Sequence, residues 1–392
     1  MKCLLITPWR LALLGCILSL EGQPLRSQEF KQEQADYVIR DAGDLDNCAE
    51  FTTAIQLIDD AEVIAKVLPK LSKFPMLRRL SLCRCDLPEG ALKSVAEIAA
   101  LEELDLSGAD IREAELKELS AAPRLSQVDI SRAKGLTGAC LALLAGVRSL
   151  SVLTAVDLRI KVGAADLAGV EFANLQRLQL EHNSWATRSI LDRLISGGRL
   201  NSISLYGCSM FEAIPPSISM NARLERLAII CCAAFDFSSL SLLAGCRSLQ
   251  ILNLSNNAMK QSDDLSILAR LPLKHLSLSK IPGLTDASLA FLSSLRKLEH
   301  IDMSDNAIDG SCFEHLAACE CLREVDARNC LSVTDTSLKL LHKIETLEAV
   351  NVDGCPKITE EALEEFQKAL PDCSLSPTPG VGPWPVPRGW RH

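Results

Sequence analysis

Leucines recur along this chain in the spacing L-x-x-L-x-L. The pattern appears as LRRLSL (77–82), LEELDL (101–106), LSQVDI (125–130), LTAVDL (153–158), LQRLQL (175–180) and LNSISL (200–205). It continues as LERLAI (224–229), LQILNL (249–254), LKHLSL (273–278), LEHIDM (298–303), LREVDA (322–327) and LEAVNV (347–352). A degenerate unit, TTAIQL (52–57), precedes these, and a half-unit, LPDCSL (370–375), follows with Cys373 in the place of the second leucine. Most steps are 24 or 25 residues, with exceptions of 28 and 22 on either side of the fourth unit. Alternation within L-x-L predicts a short strand with its leucines on one face. Turn residues follow, then a helical period, as in TDASLAFLSSL (285–295). Thr285, Thr334 and Thr359 each precede an acidic residue and read as helix N-caps, with charge suited to the first turn. One strand and one helix per repeat, stacked about 4.8 Å apart, predict a solenoid in which no repeat buries its apolar edge alone.

This motif resembles the leucine-rich repeat superfamily, and the resemblance covers residues 52–375. It implies a horseshoe-like α/β solenoid of about 12–14 repeats, with a parallel concave sheet and helices on the convex side. Around Cys330 and Cys355 the extended pattern L-x-x-L-x-L-x-x-C-x-x-(I/V)-T-(D/E) resembles the cysteine-containing subfamily. In eukaryotes that type often belongs to F-box substrate receptors, but no F-box-like helical segment precedes residue 52. With its N-terminal segment and the ending EEFQKALPDC (364–373), the chain looks most like exported bacterial leucine-rich repeat proteins. The resemblance implies protein recognition rather than catalysis.

Eight residues after a leading leucine stands Cys85, Cys208, Cys232, Cys330 or Cys355 in five repeats, and Asn183, Asn257 or Asn306 in three more. Cysteine and asparagine thus exchange at one slot. A small polar group there is expected to point inward and hydrogen-bond the turn backbone, where an unsatisfied amide would cost roughly 1–3 kcal/mol. Cys246 and Cys319 share a second slot, three residues before a leading leucine. Ladder positions run parallel, so they do not converge as four zinc ligands would. No histidine is grouped with them to activate a nucleophile. Disulfides between neighbours such as Cys208 and Cys232, or Cys330 and Cys355, would fit the Cα range, but side-by-side Cβ vectors are poor geometry for the bond.

The two ends read differently. Lys2 and Arg10 precede an apolar run from Leu11 to Leu20 and then a polar stretch, the order of a secretory signal peptide. That run is too short for a bilayer, which needs about 20 residues. Residues 1–24 are therefore read as a signal, with cleavage between Gly22 and Ser27, and 25–51 as a flank or cap. Leu13-Leu14-Gly15-Cys16 resembles a lipobox, which makes Cys16 a candidate lipid anchor. The Pro/Gly-rich segment 376–392 has no period and reads as a disordered tail. An export signal implies an oxidising compartment, whereas this many ladder thiols imply a reducing one, and both readings stay open here.

Composition narrows the function. A formal net charge of −9 leaves no basic stripe for phosphates, so nucleic acid is not an expected partner. Apolar residues make up 48% and aromatics only 4%, so the core is built from leucine, isoleucine and alanine. Outward positions lie two, four and six residues after each leading leucine. The fourth-position column includes Asp105, Asp129, Asp157, Asp302 and Asp326, acidic toward both ends, as a basic ligand would need. Near the centre Tyr206, Ala228, Ile230 and Ile251 are expected to form an exposed apolar patch, a candidate hot spot. His275, His300 and Glu324 fall in one outward column with Asp302 nearby. A straight column about 10 Å long spreads such ligands too far, so a mildly pH-sensitive surface is expected and no metal or other cofactor. The reading is an exported, monomeric, non-enzymatic module that binds a protein partner on its concave face, without a transmembrane helix. An intracellular adaptor of the F-box kind and a metal-dependent enzyme are the alternatives.

Overall fold

A computed structural model describes residues 36–376, apart from 59, 60 and 164. The signal segment, Cys16 and the Pro/Gly-rich tail beyond Ser376 lie outside these residues, as does the start of the flank. The chain forms two compact units that meet in sequence at Leu224 and Glu225, and each is described by itself.

In the first unit the strands are β1 (Tyr37–Ile39), β2 (Ala54–Leu57), β3 (Arg79–Ser81), β4 (Glu103–Asp105), β5 (Gln127–Asp129), β6 (Val152–Val156), β7 (Arg177–Glu181) and β8 (Ser202–Tyr206). The second unit holds β9 (Arg226–Ile230), β10 (Ile251–Asn253), β11 (His275–Ser277), β12 (His300–Asp302), β13 (Glu324–Asp326), β14 (Ala349–Asn351) and β15 (Ser374–Ser376). Within each unit every strand pairs in parallel with the next in chain order, as stacked repeats require. The leucines of L-x-x-L-x-L are buried almost without exception; Leu80, Leu104, Leu252 and Leu276 are all at most 2% exposed. This is the leucine-rich repeat solenoid that the spacing predicts.

Three readings change at the level of register. Leu153 pairs with Val128 on one side and Leu178 on the other, so it is the second leucine of its repeat and Leu150 is the first. With Leu150 leading, every step from Leu77 to Leu347 is 24 or 25 residues, and the apparent 28 and 22 vanish. At the C-terminal end Leu375, not Cys373, pairs with Val350. In the flank, β1 pairs with β2 (Tyr37 opposite Ile55) and adds a strand that the repeat period does not announce, because its offset is too short.

The return segments mix 3-10 and α-helical turns. Asp286–Ser294, Phe237–Gly245 and Glu113–Ala121 are 3-10 helices of 9 residues each, while Cys140–Ala145, Arg188–Leu194 and Glu360–Ala369 are α-helical. A 3-10 turn rises about 2.0 Å per residue against 1.5 Å, so the return path is stretched where it is used. Thr285 and Thr359 cap as expected, accepting from the N–H of Ser288 and Ala362. Thr334 forms a capping box with Ser337. Acidic first-turn residues also bind the neighbouring repeat: Asp286 accepts from the N–H groups of Asp309, Gly310 and Cys312.

Beyond each strand from β3 to β14 stands a left-handed residue, seven positions after the leading leucine. Arg84, Arg132, Asp157, His182, Cys231, Asn256, Lys280, Asp305 and Asn329 have φ between 48° and 62°, and Gly108, Gly207 and Gly354 fill the same place. The turn lets the N–H there reach the next repeat, as Arg84 N to Ser107 O at 2.7 Å and Lys280 N to Ser304 O at 2.9 Å. Asp157 belongs to this series, which independently fixes Leu150 as the leading residue.

Candidate functional site

The cysteine/asparagine slot is internal. Asn257 Nδ2 donates to Ile229 O at 2.6 Å and Leu254 O at 2.8 Å, and its Oδ1 accepts from Cys232 N at 2.9 Å. Asn306 bonds Leu278 O and Met303 O and accepts from Ile281 N, and Asn183 bonds Ala155 O and accepts from Leu158 N. The thiols reach equivalent carbonyls: Cys85 to Leu57, Cys208 to Leu180, Cys330 to Met303 and Cys355 to Ala327, at 3.2–3.6 Å. None of the fourteen described cysteines is in a disulfide. Burial pushes Cys330 up to about 12 and Cys355 and Cys246 up to about 11, so these thiols are poor nucleophiles. Cys319, in the second slot, points its sulfur at Leu292 O, 3.4 Å away.

The fourth-position column also has internal work. Asp105, Asp129, Asn253, Asp302, Asp326 and Asn351 each accept the N–H two residues on, at 2.8–3.0 Å. This is the Asx geometry that shapes the turn into the left-handed residue. Second oxygens are used as well: Ser81 Oγ donates to Asp105 Oδ2 at 2.9 Å, and Ser277 Oγ to Asp302 Oδ2 at 3.0 Å. Asp326, 4% exposed, pairs with Arg328 at 3.0 Å; its carboxyl is nonetheless pushed up, by burial first and then by Asp302. Burial likewise raises Asp129 to about 6. Asp157 is not in this column, since Thr154 stands opposite both Asp129 and Gln179. It lies in the turn beyond β6 and pairs with Arg159 and Arg132.

The expected apolar patch is not an exposed surface. Tyr206, in the first unit, is 7% exposed and meets the His182 ring edge-on at 5.2 Å. In the second unit Ala228 is 9% and Ile230 6% exposed. Only Ile251 is half-buried, and it stands in the second-position column between Arg226 and His275. That second column is the accessible one: Arg79, Glu103, Gln127, Val152, Arg177 and Ser202 in the first unit, and Arg226, Ile251, His275, His300, Glu324 and Ala349 in the second, are all half-buried or exposed.

Along this column His275, His300 and Glu324 are direct neighbours. The two imidazoles stack at 4.3 Å with planes 9° apart, and His300 Nδ1 lies 2.9 Å from Glu324 Oε2. Burial first, and the His300 charge second, depress His275 to about 4, so its ring is neutral at physiological pH. Glu299, one residue before His300, joins this group and is held by Lys274 at 3.0 Å. The leucine spacing passed over Glu299, whose position precedes the strand. It also passed over Glu181, a sixth-position carboxyl with no exposure, one oxygen bonded by Gln179 at 2.7 Å and the other without a partner. Burial raises Glu181 to about 7.

No family model matches this sequence, and no curated protein matches it. Solved structures do. The chain is similar to a chain of the mouse RP105/MD-1 complex at 18% identity and a TM-score of 0.54, over 82% of this chain and 54% of that one. It is also similar to an internalin, InlF, of Listeria monocytogenes (15% identity, TM-score 0.47, 78% of this chain and 81% of that one). A third is the functional domain of InlJ from Listeria monocytogenes, which includes a cysteine ladder (15%, TM-score 0.49, 78% and 58%). The chain therefore spans little more than half the length of two of these three. The likeness to the first is one of fold, the leucine-rich repeat fold.

Proposed function

We propose that this chain is an exported, non-enzymatic recognition module that binds a protein partner on the strand face of its repeats. The observation that carries the reading is the division of labour among the positions after each leading leucine. Positions four and eight serve the turns, whereas position two presents varied side chains that the ladder does not use. Varied residues on a parallel sheet suit recognition of an extended protein surface, with Ile251 as the apolar contact and Arg226, His275, His300 and Glu324 beside it in the second unit. One concavity among the described residues, of about 370 Å³, is lined by Leu331, Val352, Gly354, Cys355, Pro356, Ile358 and Leu363. Another of about 480 Å³ is lined by Lys161, Trp185, Thr187, Ser189 and Arg193 among others. No helix among the described residues is long and apolar enough to cross a membrane.

Site-specific photo-crosslinkers at Ile251 and Glu324, with Lys368 on the last helix as the contrast, test the face. Adducts of one partner from the first two and not from Lys368 are expected; equal labelling at all three would defeat the proposal. The lack of disulfides among the described cysteines favours a second reading, an intracellular adaptor in a reducing compartment. Intact mass of the protein from its native host separates the two. A chain beginning near residues 23–28 supports export, one beginning at Cys16 with a lipid-sized increment supports an anchor, and a full-length chain supports the adaptor.

A further inference from the structure

We propose that His275, Glu299 and His300 form a binding site for a divalent transition-metal ion of the zinc class, joining β11 to β12. One ligand atom from each of the three residues lies within 4.8 Å of the others. The column of His275, His300 and Glu324 alone is too straight to enclose an ion. Glu299 lies off that column, so the set becomes a triangle.

The surrounding groups suit ligation. Metal-bound histidines ordinarily donate their second ring N–H to a carboxylate, which fixes the tautomer and orients the ring. Glu324 stands in that relation to His300: with Nδ1 directed at Glu324 Oε2, the His300 Nε2 lone pair is left for an ion. His275 Nδ1 is buried without a hydrogen-bond partner, a polar atom whose desolvation nothing else in the fold repays. Glu299 supplies the anionic ligand. Its partner Lys274 is 42% exposed on a flexible stem, so it can move aside or keep one oxygen while the other binds.

Two imidazoles and one carboxylate match zinc, cobalt or nickel, and not calcium or magnesium, which take all-oxygen sets. Metal–ligand bonds of about 2.0–2.2 Å place tetrahedral ligand atoms about 3.4 Å apart, so no edge of the triangle needs to contract by more than about 1.4 Å. Rotation of the imidazoles out of their parallel stack supplies that movement, since a lone pair lies in the plane of its ring. The fourth position stays open to water or to a side chain of a bound partner.

Cobalt(II) is the probe, titrated into the full chain and followed by absorption, with zinc calorimetry in parallel. We expect one equivalent bound through nitrogen and oxygen, without sulfur-to-cobalt charge transfer. His300→Ala and Glu299→Gln should each weaken binding at least tenfold, and Glu324→Gln about tenfold. His315→Ala should leave it unchanged. Thermal melts establish which variants are folded, and the half-exposed Glu299 carries the test if His300→Ala is not. No stoichiometric binding at 100 µM ion, a thiolate charge-transfer band, or wild-type affinity in folded Glu299→Gln would each overturn the assignment.

Discussion

Replacing Glu181 by glutamine should stabilise the protein above neutral pH and leave it almost unchanged near pH 4. The carboxyl is fully buried, accepts one hydrogen bond from Gln179, and leaves Oε2 without a partner. Burial raises it to about 7, with Asp129 adding to the rise and Gln179 and Arg132 opposing it. An unfolded glutamate ionises near 4.3, so the folded chain holds a proton that the unfolded chain has lost between about pH 4.3 and 7. Stability from this group is therefore complete below pH 4.3, declines as pH rises, and is gone above 7. The difference corresponds to about 4 kcal/mol. An amide keeps the shape and cannot ionise, so Glu181→Gln should recover most of that at pH 8.5. Urea unfolding of wild type and variant at pH 4.5 and 8.5 measures it. An equal shift at both pH values would show that the carboxyl is not protonated in the folded state, and destabilisation at pH 8.5 would show that its charge is paired.

Further outcomes follow from the turn and the ladder. Asn257→Ala strips three hydrogen bonds from buried backbone groups and should cost about 3 kcal/mol, whereas Asn257→Cys, the residue used at other rungs, should cost about half as much in the same unfolding assay. Lys280→Gly relieves a left-handed residue worth about 1–2 kcal/mol of strain against a backbone-entropy loss of about 0.5–1, so a small rise in thermal midpoint is expected. Gly354→Ala should lower the midpoint, because a Cβ there would collide with Asn329 Oδ1. In native alkylation followed by peptide mass spectrometry, the exposed Cys321 should react first, and Cys208, Cys330 and Cys355 only after unfolding; early labelling of the ladder would contradict their burial.

Most of the fold was legible because a solenoid repeats its own evidence: each L-x-x-L-x-L tests the last. It failed where one repeat offered two alignments. LSVLTA at Leu150 ends in Ala155, while LTAVDL at Leu153 ends in Leu158, and the richer leucine match was three residues out of register. The strand face was harder to read. Alternation tells which side chains point away from the core, but not that Asp105 or Asp326 will curl back onto the N–H two residues on. Nor does it show that Tyr206 and Ile230 will be covered. Glu181 and Glu299 gave no motif at all. Glu299 owes its character to Lys274 and His275, about 25 residues away, and Glu181 owes part of its own to Asp129 and Arg132, about 50 away, which only stacking brings together.

The ladder has a direction. Asn183, Asn306, Cys330 and Cys355 each reach back 27 or 28 residues to a carbonyl of the preceding repeat, and the asparagines also receive an N–H from it. A turn is therefore completed by residues that the ribosome delivers later. At about 5–20 residues per second, each new coil waits roughly 1–5 s with its polar turn groups still facing water. A pause in synthesis, or a stop codon between two rungs, leaves the last coil open.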